Sequence, residues 1–190
     1  ATYICPLSDI DLDLLTLWIL HTHFVESVFY TTPRLLIDSP LAESGKTTTL
    51  EHLAKLCFDP MQMASVNSPA MFARLLDTGM KTLLIDEAEK TLRPDKVGIE
   101  ELLAVLNTGY KRGGSRPVLV PSKDDGWVTK AMPTFAPVAM AGISPHLPDD
   151  TLSRCVLVML LPDADGEIED SDWEFIEEHA IDLAERITGW

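Results

Sequence analysis

The sequence predicts an α/β domain with a mainly parallel five-stranded sheet flanked by helices. Short, continuous apolar runs are the first indication, and they lie at residues 34–38, 82–85, 137–143 and 155–161. Helical patterns separate these runs, and such alternation is typical of a parallel sheet that is covered on both faces. The chain has 190 residues, 46% of them hydrophobic, and is long enough to bury a core.

Local signals predict the remaining elements in order. The segment from Ser8 to Asp11 resembles a capping box and opens an apolar helix to about Phe29, before Thr32-Pro33 breaks the pattern. A weak strand is expected at 61–66, and Asp125-Gly126 between apolar runs indicates a hairpin inserted around residues 122–126. Further helices are predicted at 47–56, from 68 to about 79, at 98–107 and at 171–187.

The net charge of −15 is concentrated near the end of the chain. Eleven of the 30 acidic residues lie between residues 163 and 185. We therefore expect residues 1–162 to form a core with its N-terminal helix, and residues 163–190 to add an acidic helical segment to the same domain. An acidic surface repels nucleic acid, but the core is only mildly acidic, so charge neither supports nor excludes DNA binding.

The cysteines and the hydropathy pattern predict a cytoplasmic protein. Cys5, Cys57 and Cys155 are far apart and form no C-x-x-C pair. This spacing argues against a disulfide framework or a zinc site and fits a reducing compartment. No segment is typical of a signal peptide or a membrane span, so no membrane partner is expected.

The segment IDSPLAESGKTTTLEHL, residues 37–53, contains a candidate phosphate-binding loop. It follows a predicted strand and opens a predicted helix, so backbone N–H groups and the helix dipole can converge on phosphate. Two positions are unusual, because Pro40 replaces the usual opening glycine and Glu43 places a carboxylate in the loop. The predicted nucleotide-binding residues are Pro40, Leu41, Ala42, Glu43, Ser44, Gly45, Lys46, Thr47 and Thr48.

A second acidic motif follows the apolar run TLLI. Asp86 ends this run 40 residues after Lys46, and Glu87 is adjacent to it. Nucleotide motors place an acid at such a strand end on Mg²⁺, and a neighbouring side chain orients the attacking water. The alternative is a capped helix and a solvated acid pair that bind no ligand.

Four blocks of the sequence together resemble a known family: TPRLLIDSPLAESGKTTTLEHL, TLLIDEAEKTL, ELLAVLNTGYKRGG and PTFAPVAMAGISPHLPDDTLSRCVLVML. They are similar to an uncharacterised P-loop ATPase family of phage and mobile-element proteins, often described as primase- or helicase-like. The resemblance covers about residues 10–162. It implies an ASCE-type fold similar to AAA+ and superfamily III helicase cores, with sheet order 5-1-4-3-2. The family's loop contains the proline, whereas Glu43 departs from the glycine of many phosphate loops.

The resemblance also implies roles for individual residues. Lys46 would contact the β- and γ-phosphates of ATP, and Thr47 would ligate Mg²⁺ through its hydroxyl. Asp86 would hold the metal directly or through one of its ligands, and Glu87 would polarise water; the alternative for Glu87 is a solvated acid. A positive φ at Glu43 would cost roughly 1–2 kcal/mol, and its charge would weaken binding unless it points outward.

Two more residues match positions that complete the hydrolysis site in related ATPases. Ser144 ends an apolar strand where those proteins sense the γ-phosphate; a turn or cap residue is the alternative. Arg154 precedes the last strand and matches the arginine that AAA+ proteins insert into a neighbour's site, which is worth ~10³–10⁵ in rate. We expect it near its own Lys46 site but projecting past the domain edge. A salt bridge to Asp149 or Asp150 is the alternative.

Candidate contacts with DNA or a neighbouring subunit rest on less specific signals. Lys111 and Arg112 follow a predicted helix and would face either partner, or only complement the helix dipole. The predicted hairpin lies where helicase ATPases place a DNA-translocating hairpin, with Lys123 and Trp127 as its contacts. The alternative is an ordinary surface hairpin with Trp127 packed inward, and the acids at the tip argue against DNA.

Two classes of function fit these residues, and both use ATP and Mg²⁺. The first is the motor core of a ring-forming homo-oligomer, helicase- or primase-helicase-like, acting on single- or double-stranded DNA in replication. The second is an ATPase switch or remodeller acting on a protein, which the acidic segment suits better. A nucleotide binder with little hydrolysis is a third reading, suggested by Glu43.

Overall fold

A computed structural model of the chain describes residues 2–64, 68–93, 95–122 and 126–190. The strands are β1 (Arg34–Ser39), β2 (Pro60–Met63), β3 (Thr82–Ile85), β4 (Ser115–Ser122), β5 (Gly126–Pro133), β6 (Val138–Ile143) and β7 (Cys155–Met159). The helices are α1 (Asp9–Phe24), α2 (Lys46–Leu56), α3 (Pro69–Leu76), α4 (Ala88–Thr91), α5 (Ile99–Thr108), α6 (Asp149–Leu152) and α7 (Trp173–Thr188). Within the described ranges, no helix is long and apolar enough to cross a membrane.

Five of the strands form one parallel sheet, as predicted, and β4 and β5 form a separate antiparallel hairpin. The sheet order is β2-β3-β6-β1-β7, with every neighbouring pair parallel. When all seven strands are numbered along the chain, the observed order differs from the expected 5-1-4-3-2. The difference arises because the hairpin takes the numbers 4 and 5, so the next sheet strand is β6. Counted within the five-stranded sheet alone, the arrangement runs 5-1-4-3-2 from the β7 edge.

The inner strands β1, β3 and β6 are buried because helices cover both faces of the sheet. On one face, Trp18 of α1 and Leu50 of α2 pack with Leu35 of β1. On the other face, α3 and α5 pack with Leu36 of β1 and its neighbours. Successive side chains of a strand point to opposite faces, so a strand buried on both faces is continuously apolar. This arrangement explains the apolar runs seen in the sequence.

The first helix is shorter than predicted, since α1 ends at Phe24 rather than at about Phe29. A distant side chain fixes this end. One guanidinium nitrogen of Arg112 donates to the carbonyls of Val25, Glu26 and Phe29 at 3.0, 2.8 and 2.8 Å. Arg112 thus holds the residues that follow α1 in turns rather than in further helix.

The expected capping box at Ser8 takes a different form. The Ser8 hydroxyl donates to Asp11 Oδ2 at 2.6 Å, and Asp11 Oδ1 accepts from the backbone N–H of Met159 at 3.1 Å. Asp11 therefore ties α1 to β7 instead of bonding the backbone N–H of Ser8. The predicted strand at 61–66 also changes, because β2 covers Pro60–Met63 and residues 65–67 lie outside the described ranges.

Candidate active site

The predicted phosphate loop connects the end of β1 to the start of α2. Gly45 adopts a left-handed conformation with φ 78°, which glycine tolerates without steric cost, immediately before the helix begins at Lys46. The first N–H groups of a helix have no acceptor within it, and its dipole favours anions at that end. The structure therefore places residues 40–48 around a helix N-terminus suited to phosphate.

Lys46 folds back over this loop. Its Nζ donates to the Leu41 carbonyl and to Ser44 Oγ, both at 2.8 Å. Partial burial lowers the pKa of Lys46, and the carboxylates of Glu89, Asp38 and Asp86 act in the opposite direction. The ammonium group thus lies in an acidic environment, held by contacts that a phosphate could replace.

The acidic pair lies at the end of β3, as predicted. Asp86 Oδ1 accepts from the backbone N–H of Glu87 at 2.8 Å, and Glu87 is left-handed with φ 49°. The exposed Glu87 carboxylate forms an ion pair with Lys90. Among the described residues, no group of three or more His, Cys, Asp or Glu is placed to hold a metal ion.

Two carboxylates, those of Asp38 near the end of β1 and of Glu89 just beyond the acidic pair, accept hydrogen bonds from the end of β6. The backbone N–H of Ser144 donates to Asp38 Oδ1 at 2.8 Å, and that of Ile143 donates to Glu89 Oε2 at 3.1 Å. Gly142 permits the close approach of Glu89, because a Cβ there would lie 2.7 Å from Glu89 Oε2 and 3.2 Å from its backbone nitrogen. The ends of β1, β3 and β6 thus meet at one edge, where ligands of open parallel sheets bind.

Asp38 and Glu89 were not predicted as members of this site. Asp38 falls within the predicted strand at 34–38, and the sequence predicts no role for Glu89. The signal that could have found them is positional, because residues that end or closely follow neighbouring parallel strands converge at the same edge.

Arg154 lies at the amino ends of the parallel strands, whereas the phosphate loop lies at their carboxyl ends. Its expected position near Lys46 is therefore wrong. Its carbonyl accepts from the N–H of Arg34 at the start of β1, whereas the phosphate loop follows the end of that strand. Six residues of strand separate the two ends by roughly 20 Å. Arg154 therefore cannot reach the phosphate loop of its own chain.

The Arg154 side chain packs on an aromatic ring instead of forming the alternative salt bridge. Its guanidinium carbon lies 5.1 Å from the centre of the Tyr110 ring, and Nη1 donates to the backbone carbonyl of Asp150. Within the described part of the chain, its Nε is buried without a hydrogen-bond partner and no ion pair involves it.

Of the residues predicted to contact DNA or a neighbouring subunit, Lys111 and Arg112 make contacts within the chain, and Trp127 is exposed. Arg112 fixes the end of α1, and Lys111 Nζ lies 5.3 Å from the centre of the Tyr30 ring. The hairpin exists, and Trp127 is 67% exposed, so it is not packed inward. Lys123, with the acidic tip at 124 and 125, lies outside the described residues.

No protein-family model and no curated protein matches the chain. Among solved structures, Thermotoga maritima RuvB, a Holliday junction branch migration motor, is 20% identical over 94% of this chain and 61% of its own, with a TM-score of 0.49. JCV helicase is 19% identical over 96% of this chain and 49% of its own, with a TM-score of 0.48. The C-terminal region of NrS-1 is 12% identical over 100% of this chain and 46% of its own, with a TM-score of 0.47. The chain thus spans about half the length of these structures.

Glu43→Gly should relieve strain in the loop while changing ATP affinity only modestly. Glu43 is exposed with φ 57°, a conformation that costs a non-glycine residue roughly 1–2 kcal/mol. Glycine's greater freedom in the unfolded chain offsets part of that gain. We expect the free energy of unfolding to rise by up to ~1 kcal/mol, and ATP to bind no more than roughly tenfold tighter.

Chemical denaturation and calorimetry measure the two effects, and Glu43→Ala separates them because it removes the charge but keeps the strain. A gain in ATP affinity far above tenfold for Glu43→Gly would mean that the native loop is closed to nucleotide.

Proposed function

We propose that the chain binds ATP at residues 40–48 and hydrolyses it with Mg²⁺. The observation that carries this proposal is the position of Lys46, at the N-terminus of a helix that follows a central parallel strand, facing the acids that end the neighbouring strands. A lysine and free N–H groups suit the phosphates, while a carboxylate beyond them suits a hard cation.

The residues present fit a magnesium ion bound together with the nucleotide. Thr47 is an exposed residue and Asp86 a half-buried one, and their hydroxyl and carboxylate oxygens are ligands of the kind that Mg²⁺ prefers. A few protein oxygens suffice, because Mg²⁺ usually takes its other ligands from phosphates and water. When bound, the ion would neutralise charge on the phosphates.

The protein side chains would do the rest of the chemistry. Lys46 would exchange its contacts with Leu41 and Ser44 for the β- and γ-phosphates. Glu87 would leave its exposed ion pair with Lys90 and accept a hydrogen bond from the attacking water. Ser144, held at the end of β6 by Asp38, would sense the γ-phosphate.

For the partner, we propose DNA, with the chain as the motor core of an oligomeric helicase-like protein. The exposed Trp127 on the β4–β5 hairpin supports this choice, since aromatic side chains stack on unpaired bases. A protein-directed switch is the second candidate, because the net charge of −15 opposes a nucleic acid backbone.

Phosphate release from ATP, measured with and without single-stranded DNA, tests both parts of the proposal. Magnesium-dependent release that DNA accelerates supports the motor, and Trp127→Ala should then remove the acceleration but not the basal rate. Magnesium-dependent release that DNA leaves unchanged favours a protein partner. No release under any of these conditions would contradict the hydrolysis itself.

We further propose that Arg154 acts in the active site of a neighbouring subunit. Its position roughly 20 Å from its own loop excludes a role at the phosphate site of the same chain. Specific activity should therefore rise with protein concentration, and Arg154→Ala should flatten that rise while leaving ATP affinity nearly unchanged. Arg186→Ala, which removes an exposed arginine that pairs with Asp182 within α7, is the matched control and should keep the rise.

Mixing Arg154→Ala with Glu87→Gln subunits tests the arrangement directly. Some interfaces of the mixture would combine an intact Arg154 with an intact Glu87, so activity should exceed that of either variant alone. If co-assembled mixtures recover nothing, Arg154 serves only to pack on Tyr110.

A further inference from the structure

A cavity of about 450 Å³ lies beside the phosphate loop, and residues from outside the loop form much of its lining. One wall is the loop and the first turn of α2, residues 43–48. The opposite walls come from both ends of the chain, namely Tyr3, Ile4 and Cys5 and the acidic segment that includes Ile168, Glu169 and Asp170. We call this space the loop cavity.

Backbone hydrogen bonds join the two terminal walls to each other. The N–H of Leu161 donates to the carbonyl of Cys5 at 2.8 Å, and that of Glu169 donates to the carbonyl of Thr2 at 3.0 Å. The Asp163 carboxylate closes the intervening turn by accepting from several backbone N–H groups, which lower its pKa. The acidic segment is thus an ordered wall of the loop cavity.

Side chains tie the same walls to α2, the helix that opens with Lys46. Nε2 of His52 is hydrogen-bonded to Ser171 Oγ at 2.9 Å. The His52 ring lies 5.3 Å from the Tyr3 ring and 4.7 Å from the Trp173 ring, centre to centre. Lys55, one turn further along α2, forms an ion pair with Glu177 of α7. The helix α2 therefore contacts the terminal walls of the loop cavity and also begins at the end of the phosphate loop.

The size and chemistry of the loop cavity suit a nucleoside. Small-molecule sites commonly measure about 300–1,000 Å³ and combine apolar walls with a few polar groups. Tyr3 and Ile4 offer an aromatic and an aliphatic surface for a base. The exposed acids Glu169 and Asp170 would repel phosphate, but carboxylates accept hydrogen bonds from ribose hydroxyls in other nucleotide sites.

We propose that the loop cavity takes the nucleoside of the bound nucleotide, with Tyr3 and Ile4 against the base and Glu169 and Asp170 accepting hydrogen bonds from the ribose. This inference rests on the proposed function, because it places the nucleoside next to phosphates held at residues 40–48. Inorganic tripolyphosphate separates the two, since it carries the phosphates without the nucleoside.

The first test removes the two acids together. Glu169→Ala/Asp170→Ala should weaken ATP binding about tenfold, as expected for loss of one or two hydrogen bonds, and should not weaken tripolyphosphate binding. Asp165→Ala/Glu167→Ala is the matched control, because it removes the same charge from the same segment at residues that do not line the loop cavity. Thermal melting should show all variants folded, since these side chains are exposed.

The second test uses the thiol of Cys5, which lines the loop cavity. Burial raises the pKa of Cys57 to about 12 and that of Cys155 to about 11, so both thiols stay protonated and react slowly. ATP should protect Cys5 from a thiol reagent, with the modified residue identified by mass spectrometry. Tripolyphosphate should bind without comparable protection.

The outcomes distinguish this inference from the proposed function. If ATP and tripolyphosphate both bind, but ATP leaves Cys5 unprotected or the two acidic pairs behave alike, the nucleoside lies elsewhere. A gain in affinity for both ligands on removing Glu169 and Asp170 would mean that the acids only repel phosphate, which also overturns the inference. If the parent binds neither ligand, the proposed function itself fails.

Discussion

Lys46→Ala should weaken ATP binding by at least about 100-fold and leave the fold intact. The ammonium group is the cation placed to meet two phosphates, and each charge-assisted hydrogen bond to a charged partner is worth about 1.5–3 kcal/mol. Among the described residues, the side-chain hydrogen bonds of Lys46 go to Leu41 and Ser44 of the loop itself, so little stability depends on them. Calorimetric titration with ATP and a thermal melt measure the two expectations.

Lys81→Ala is the matched control for this change. Lys81 forms an ion pair with Asp59 at 2.7 Å, but it precedes β3 and therefore lies at the end of the sheet away from the phosphate loop. The control should keep ATP binding within a few-fold of the parent. Equal affinities for the parent and Lys46→Ala would remove the phosphate-site assignment.

Glu87→Gln should keep ATP binding and lower turnover by about 10²–10⁴-fold, the usual contribution of a general base. Glutamine preserves the size of the side chain but cannot take a proton from water. The Glu87 carboxylate is exposed and paired only with Lys90 among the described residues, and such surface pairs are worth about 0–1 kcal/mol. The fold should therefore be unaffected, and steady-state phosphate release measures the loss.

Glu89→Gln tests a competing carboxylate at the same edge of the sheet. A glutamine there retains an oxygen that can accept from the N–H of Ile143, so the end of β6 should stay in place. We expect turnover within about tenfold of the parent. A large loss in Glu89→Gln together with normal turnover in Glu87→Gln would transfer the water-activating role to Glu89.

The position of the candidate phosphate loop between a strand and a helix could be predicted from sequence, because its determinants are local. The strand β1, Gly45 and Lys46 all lie within residues 34–46, and the structure places Gly45 and Lys46 between the strand end and the helix start, as expected. The parallel sheet was equally accessible, since burial on both faces leaves a continuous apolar pattern.

The features that escaped prediction depend on contacts between distant residues. The end of α1 is set by Arg112, and the loop cavity depends on bonds such as that from Leu161 to Cys5. Neither interaction leaves a periodic pattern in the sequence. The wrong position expected for Arg154 has a simpler cause. The predicted strand order correctly makes β7 a neighbour of β1, but a residue that precedes β7 lies at the amino ends of the strands, away from the loop that follows β1.

Titration of Glu87→Gln with ATP and Mg²⁺ by calorimetry tests the central claim most directly, because slow turnover leaves the bound nucleotide intact. We predict one ATP per chain, displaced by tripolyphosphate and lost when Lys46→Ala is added to the same chain. Absence of binding at millimolar ATP, or binding that survives the loss of Lys46, would contradict a nucleotide site at residues 40–48.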